Sequence, residues 1–465
     1  MKQPFASFLG PGLVFFLTIR AGFSEQDVQP SQPMKLRAAI EMALESFPEV
    51  RATEAELAAA RENLGLAKKA YLPNADIYLQ WNRATRNNVF GLLLPGGGVP
   101  SISGPVLEET TSQGTFGSVA AALVRWEAFD FGVRAGGVRE AEAVRQRAQA
   151  GLRVTELGVS LGVVDSFVGV VAAESAVSAT TATVERMDVF STAVSVLVEN
   201  ELRPGADLSL ARAELARART ELIRAEEIRE RARVSLAEWL GRAGERLEIN
   251  GSELLESSAS VVGGASQDAE AHPLVEIGQA ERDAARARRE VAAAAYRPKL
   301  DLLAAVYSRG TGALLDGSFE GGSGGLWPET TNWALGLAVR FPLIDFAVRQ
   351  ETKVEEYREQ AAEARYANAL QHVTAEIERA RIHLDAARRI AENTPVELEA
   401  ARALQVQARA RYEAGLAEVL EVAEAERILR RAETEDAIAR LEVWRARFAL
   451  SAAEGDLAPA LSQLE

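Results

Sequence analysis

Cysteine is missing altogether, which excludes disulfide frameworks, thiolate zinc sites, cysteine nucleophiles and lipid attachment to an amino-terminal cysteine. Histidine is nearly missing too: only His272, His372 and His383 are present, and no two of them share metal-ligand spacing. An enzyme reading is therefore left with carboxylates, and in stretches this rich in Glu paired acids carry almost no catalytic information. Basic charge is in deficit, with 52 Lys and Arg against 67 Asp and Glu and a net charge of −15. A nucleic-acid surface needs a basic stripe to release counterions, so no nucleic-acid partner is expected. The Arg residues are interleaved with Glu, as on a salt-bridged solvated helix face; an acidic tunnel lining fits the same sum. Beyond the amino terminus no segment offers roughly 20 unbroken apolar residues, so a membrane protein with this sequence would have to cross on strands.

What is abundant is Ala, Glu, Arg, Leu and Val, the mixture of long helices rather than of a sandwich or doubly wound sheet. Residues 1–24 read as an export signal: Lys2, an apolar run through Phe5, Phe8, Leu9 and Leu13 to Ile19, then Ala21, Gly22 and Ser24 before Glu25. A buried amino-terminal helix is the alternative, because Pro4, Pro11 and Arg20 blemish the run.

The chain repeats itself. Ala70-Tyr71-Leu72-Pro73-Asn74-Ala75-Asp76-Ile77 returns as Ala295-Tyr296-Arg297-Pro298-Lys299-Leu300-Asp301-Leu302, each time ending a helical stretch with a Pro and opening a strand. Arg125-Trp126-Glu127-Ala128-Phe129-Asp130-Phe131-Gly132-Val133-Arg134 returns as Arg340-Phe341-Pro342-Leu343-Ile344-Asp345-Phe346-Ala347-Val348-Arg349, where a strand ends and a long helix begins. Asp130 and Asp345 stand where a helix cap would accept the first free amides. Between the signatures lie two strands joined by Gly/Pro-rich loops, which contain Pro95-Gly96-Gly97-Gly98 and Gly321-Gly322-Ser323-Gly324-Gly325. Neither loop has the Gly-Lys-Ser/Thr of a phosphate cradle.

In the second copy Trp333, Leu335, Leu337, Val339 and Phe341 alternate with smaller or polar residues, so one strand face is uniformly apolar; Ala120, Ala122, Val124 and Trp126 form its weaker counterpart. Trp81, Trp126, Trp327 and Trp333 fall in these strand regions, as interfacial aromatic belts require. A soluble hairpin with one buried face is the alternative, but two isolated hairpins would struggle to bury that face alone. After each strand pair comes a helical run of roughly 65 residues, a rod on the order of 100 Å. Val163, Val170, Val177 and Val184, and Leu208, Leu215 and Leu222 with Leu236 two steps further, keep a seven-residue spacing that implies left-handed supercoiling. Arg203-Pro204-Gly205 and Glu413-Ala414-Gly415 interrupt the two runs and turn each into a hairpin.

The expected organisation is a first copy over 25–260, with strand pair 75–128 and helical hairpin 132–241, and a second over 261–465, with strand pair 299–341 and helical hairpin 345–455. This order, with Leu36-Arg37-Ala38-Ala39-Ile40-Glu41-Met42-Ala43-Leu44 and Phe47-Pro48-Glu49-Val50 opening the first copy and Ala271-His272-Pro273-Leu274-Val275 the second, resembles the TolC family of outer-membrane efflux proteins. The resemblance implies a mainly α fold with a membrane β-barrel portion. Three internally duplicated protomers would build a twelve-stranded barrel in the cell outer membrane, continuous with a twelve-helix tunnel through the periplasm. It also implies a homotrimer set in outer-membrane lipid, a periplasmic membrane-fusion adaptor and an inner-membrane pump of the RND, ABC or MFS type, with no cofactor and no catalysis. A non-channel periplasmic coiled-coil scaffold is the rival reading; it accounts for the heptads and the acidity but not for duplicated strand pairs behind an export signal.

The resemblance also points to residues. Glu421 and Glu424 fall where the family's tip helix often carries constricting aspartates; three apart, they share a helix face, and threefold symmetry would gather them into a cation-favouring ring. Two more solvated glutamates are the plainer reading. Tyr412 matches a latching Tyr, with helix packing as the alternative; Asp207 is its candidate partner, with a helix cap as the alternative. Pro204, Gly205, Gly415 and Leu416 are the expected adaptor-contacting tips. Trp333, Leu335, Leu337, Val339 and Phe341 are the expected lipid-facing strand. The cargo is not written in the sequence.

Overall fold

Pro48 and Pro273 each occupy the first turn of a helix, where a missing N–H costs nothing, and the helices they start run to the two Pro-ended signatures. A computed structural model of the protein describes residues 33–85, 87, 109–256, 269–316, 318–342 and 346–464. The expected export signal, the Pro95-Gly96-Gly97-Gly98 segment and the Asp345 cap lie outside them.

The elements are α1 (Leu36–Ser46), α2 (Pro48–Lys69), β1 (Asn74–Thr85), β2 (Gly114–Phe129), α3 (Val133–Glu199), α4 (Gly205–Trp239), α5 (Ser252–Glu256), α6 (Pro273–Ala294), β3 (Lys299–Thr311), β4 (Thr330–Arg340), α7 (Phe346–Glu413), α8 (Val419–Ala453) and α9 (Ala458–Leu461). The order helix, strand pair, long helical hairpin thus occurs twice. At 67 and 68 residues, α3 and α7 are each about 100 Å long.

The shorter helices cover these rods end to end. α4 finishes where α2 starts: Ser46 Oγ donates to Leu240 O at 2.8 Å, and Phe47 stacks on Trp239 at 5.4 Å between ring centroids. α8 finishes where α6 starts. There His272, buried, caps α6 by accepting from Leu274 N at 3.1 Å, and its Nε2 lies 3.3 Å from Ala452 O. Those partners require the neutral tautomer with the proton on Nε2, and burial holds the imidazole below its ordinary pKa, against the smaller effect of the Ala452 carbonyl. The main core surrounds these two junctions, with Val163, Val164, Phe167 and Val168 of α3 packed among Ala39, Ala43, Leu240, Trp444 and Phe448. That packing accounts for the apolar composition of α3. α3 contains an 18-residue stretch apolar enough by composition to cross a membrane, and half of it is buried inside the protomer.

The four strands form one antiparallel sheet in the order β1-β2-β3-β4. Its register aligns Ala75, Val124, Ala304 and Leu335 in one row, and Ile77, Ala122, Val306 and Trp333 in the next. Residues directly opposite share a face, so these rows build a continuous apolar surface. The reverse face carries Asp76, Gln80, Arg125, Asp301, Arg309 and Arg340. Among the described residues β1 and β4 each pair on one side only, leaving a free edge at either end of the sheet.

At the β2-to-α3 junction Asp130 Oδ1 accepts from Gly132 N at 3.1 Å, while Oδ2 accepts from Arg134 N at 2.7 Å and Arg134 Nε at 2.9 Å. Burial alone would raise the Asp130 pKa; the two amides and the Arg134 guanidinium outweigh it and hold the carboxyl below its usual range. A depressed carboxylate stabilises the fold above its unfolded pKa of about 4 and loses that contribution as pH falls through the folded value. Asp130→Ala is expected to cost about 1–2 kcal/mol in chemical denaturation at neutral pH, with the deficit shrinking below about pH 4.

Candidate functional site

The ends of the two helical hairpins are built to one plan. α7 closes with Gly415 N donating to Tyr412 O at 2.9 Å and Leu416 N donating to Arg411 O at 2.8 Å, a Schellman cap that places Gly415 at φ +79. α3 closes the same way, with Glu201 N on Val198 O at 3.0 Å and Leu202 N on Leu197 O at 2.9 Å, but the left-handed position is held by Glu201 at φ +58. The next helices start alike: Pro204 and Glu418 are extended N-cap residues, Asp207 N donates to Pro204 O, and Glu421 N donates to Glu418 O.

The chain therefore reverses at Asn200–Arg203, slightly earlier than the Arg203-Pro204-Gly205 interruption suggested. Pro204 and Gly205 open α4. Leu202 and Leu416 are equivalent and protrude, 69% and 71% exposed. The first turn does keep the Leu of a Gly-Leu pair; a glutamate in place of the glycine hides it from sequence reading. Asp207 is likewise the counterpart of Glu421, an acid in the first turn of the second helix of each hairpin, three residues after the N-cap, rather than the cap itself.

Tyr412 is fully buried. Its ring meets Phe190 edge-on at 5.0 Å, and its hydroxyl donates to Asp207 Oδ2 at 3.3 Å. Burial pushes the Tyr412 pKa up and the Asp207 charge adds to the shift, so the hydroxyl keeps its proton throughout the neutral range. The surrounding apolar cluster joins Met187 and Phe190 of α3 to Val419 and Val422 of α8. Above it lies a charge that sequence reading overlooked. Glu426, 3% exposed, accepts from Arg186 Nε at 2.7 Å and from Gln405 Nε2 at 2.7 Å, which ties α3, α7 and α8 together. Its only sequence signal is an acid on the core-facing stripe of α8.

Glu421 and Glu424 face away from that core, on one exposed side of α8. Glu424 pairs with Arg427 at 2.6 Å, whereas Glu421 stands 3.7 Å from Arg411, a looser contact. Exposed pairs of this kind are worth little, and Glu421 keeps more of its field.

At the other end of the molecule the expected strand, Trp333, Leu335, Leu337 and Val339 with Phe341 just past it, is exposed over its length. The register adds Ile77, Leu79 and Trp81 of β1 and Leu302 and Val306 of β3 to the same face, none of which the second-copy pattern had singled out. Trp81 Nε1 donates to Leu326 O at 3.0 Å and Trp126 Nε1 to Tyr71 O at 2.9 Å, so the indoles bracket the apolar rows with their polar atoms satisfied. His372 and His383 sit on exposed positions of α7 beside Glu376 and Glu442. Among the described residues no group of three or more His, Asp or Glu is arranged to hold a metal.

Glu201 carries a conformation that disfavours a side chain by about 1–2 kcal/mol. Glu201→Gly is expected to stabilise the turn by up to about 1 kcal/mol, read as slower hydrogen exchange at the Leu202 amide, and Gly415→Ala to speed exchange at Leu416.

Comparison with known proteins places this architecture. Residues 39–242 and 265–456 match the family model described as outer membrane efflux protein. No curated protein sequence matches the chain. Among solved structures, CusC superposes with a TM-score of 0.74 at 18% identity, over 90% of this chain and 92% of CusC. VceC of Vibrio cholerae gives 0.72 at 19% identity, over 90% of this chain and 96% of VceC. The CmeC outer membrane channel of Campylobacter jejuni gives 0.73 at 15% identity, over 92% of this chain and 89% of CmeC.

Proposed function

The chain belongs to the outer membrane efflux protein family, similar to TolC, and from that premise we propose that three copies form a passive conduit. It would carry efflux or secretion substrates from a periplasmic adaptor and an inner-membrane pump to the outside. The protein resides in the outer membrane with its helices in the periplasm. The observation that carries the proposal is the sheet: among the described residues nothing pairs with its two outer edges, and its continuous apolar face is largely exposed. Closing β4 of one protomer onto β1 of the next removes every edge and turns the apolar rows toward lipid, the arrangement open to strands in a bilayer. Three such sheets make a twelve-stranded barrel, and the duplicated hairpins continue it as a twelve-helix tunnel.

The conduit needs no chemistry of its own. In the trimer the α7/α8 turns would converge at the narrow end, with Glu421 and Glu424 presented to the axis and favouring cations by their summed field. Tyr412 bonded to Asp207 would latch the turns closed. Pro204, Gly205, Gly415 and Leu416 would offer the adaptor a surface, joined by Leu202.

Purified protein is expected to run as a heat-sensitive trimer and to conduct in planar bilayers; a water-soluble monomer without conductance would return the reading to a coiled-coil scaffold. Replacing both Glu421 and Glu424 by Gln should weaken cation preference and block by multivalent cations, with Glu421→Gln alone giving the larger share. On the sheet, Leu335→Arg should cost about 2–4 kcal/mol of trimer stability in heat-dissociation assays, while Ala334→Arg, on the lumen face, should cost far less.

A further inference from the structure

α7 carries a series at intervals of seven: Arg358, Arg365, His372, Arg379, Ala386 and Asn393. In a left-handed supercoil that spacing keeps one face of a helix turned one way along its length. Glu421, Ile428, Glu435 and Glu442 form the matching series on α8. The two series meet, because Ala386 and Asn393 line the same groove as Glu435 and Glu442. The side of the wall that presents Glu421 to the tunnel axis is therefore the side on which Arg358 and Arg365 stand.

At the upper end of that side lies a cavity of about 420 Å³ between α3, α6 and α7. Alanines line it, among them Ala284 and Ala361, together with Arg147, Arg288, Arg358 and Arg365; Glu281 is the one acid of the lining. Three of these arginines have partners: Arg147 Nε lies 2.9 Å from Glu281 Oε1, Arg288 Nε 2.9 Å from Glu140 Oε1, and Arg358 Nη1 2.5 Å from Glu355 Oε1. Their side chains are between 41% and 60% exposed, and ion pairs this exposed are worth under about 1 kcal/mol, so a multivalent anion can draw the guanidiniums away. Among the described residues Arg365 has no ion pair or hydrogen bond. Four cations thus meet three acids, and Arg365 is the surplus, in a chain whose net charge is −15.

Guanidiniums offer parallel N–H donors that match the paired oxygens of phosphate and carboxylate groups. Arg365 stands about 70 Å along α7 from its turn. The Debye length in physiological salt is about 8 Å, so these arginines and the Glu421/Glu424 acids act on a solute independently.

We propose that this cavity is an anion-binding station in the upper tunnel wall: Arg147, Arg288, Arg358 and Arg365 of each protomer bind the phosphate or carboxylate groups of a multivalent anionic solute in transit. Three protomers set the cavities in a ring, and rings of arginine favour anions in pores. The proposal rests on the reading of the chain as a trimeric tunnel, to which it adds a class of cargo.

The test is calorimetric titration of the full-length trimer in detergent with pyrophosphate and, separately, with citrate, beside planar-bilayer recordings with either anion added. Wild type is expected to bind at least one of them, more weakly as salt is raised, and the bound anion should lower single-channel conductance. R365Q, which breaks no contact among the described residues, should weaken binding about fivefold, and R358Q/R365Q about tenfold or more. R139Q removes the same charge from a separate cavity between α2, α3 and α6, and should change affinity by less than about twofold. Tighter binding of pyrophosphate assigns the station to phosphate groups; tighter binding of citrate assigns it to carboxylates. Wild type that binds neither anion, affinity unchanged in R358Q/R365Q, or R139Q as damaging as R365Q would each overturn the station. Should R358Q/R365Q not assemble, R365Q alone decides. A trimer that binds as expected and never conducts would instead sink the channel reading and leave the cavity an anion site.

Discussion

Unpaired backbone at the two edges of a sheet, beside an apolar face of Ile, Leu, Val and Trp, is the constraint on which the molecule turns. Each edge residue that looks outward leaves an N–H and a C=O to be satisfied, and in hydrocarbon each failure costs several kcal/mol. Among the described residues nothing pairs with either edge, and the helices lie at the far side of two Pro-terminated junctions. Closure with further copies meets that cost at once, and in the proposed trimer the strands then fix the spacing at which the helices enter the tunnel.

The helical part is a problem of length matching. Two rods about 100 Å long need cover along their whole extent, and the shorter helices supply it in pairs that meet end to end. Each meeting point puts helix ends, with their spare carbonyls and amides, inside the protein. Ser46 and His272 bond to such ends, and buried apolar residues of α3 lie at the same level, so that the polar ends are sealed within the main apolar core. His272 is thereby a neutral cap that also ties α6 to the end of α8.

The turns use the opposite economy. Their outer surface is exposed, so what holds them is a small set of directed contacts around Tyr412. Asp207 and Glu421 occupy equivalent places in the two hairpins, yet one is drawn inward onto the Tyr412 hydroxyl and the other is left facing out. Chemical likeness and equivalent position did not decide their environment; the asymmetric packing of one hairpin on the other did.

Periodicity, proline placement and the paired signatures determined the element order, the lengths of α3 and α7, and one apolar strand face, because these depend on local backbone preference and on the repeat of side-chain direction. The export signal is a reading of residues 1–24 on the same grounds. Sequence could not say that Glu201 stands where glycine belongs, that Ile77 and Leu302 share a face with Trp333, or that Glu426 reaches across between hairpins. Those facts depend on strand register and on which helix lies beside which, and both are settled only when distant segments compete for the same partners in three dimensions.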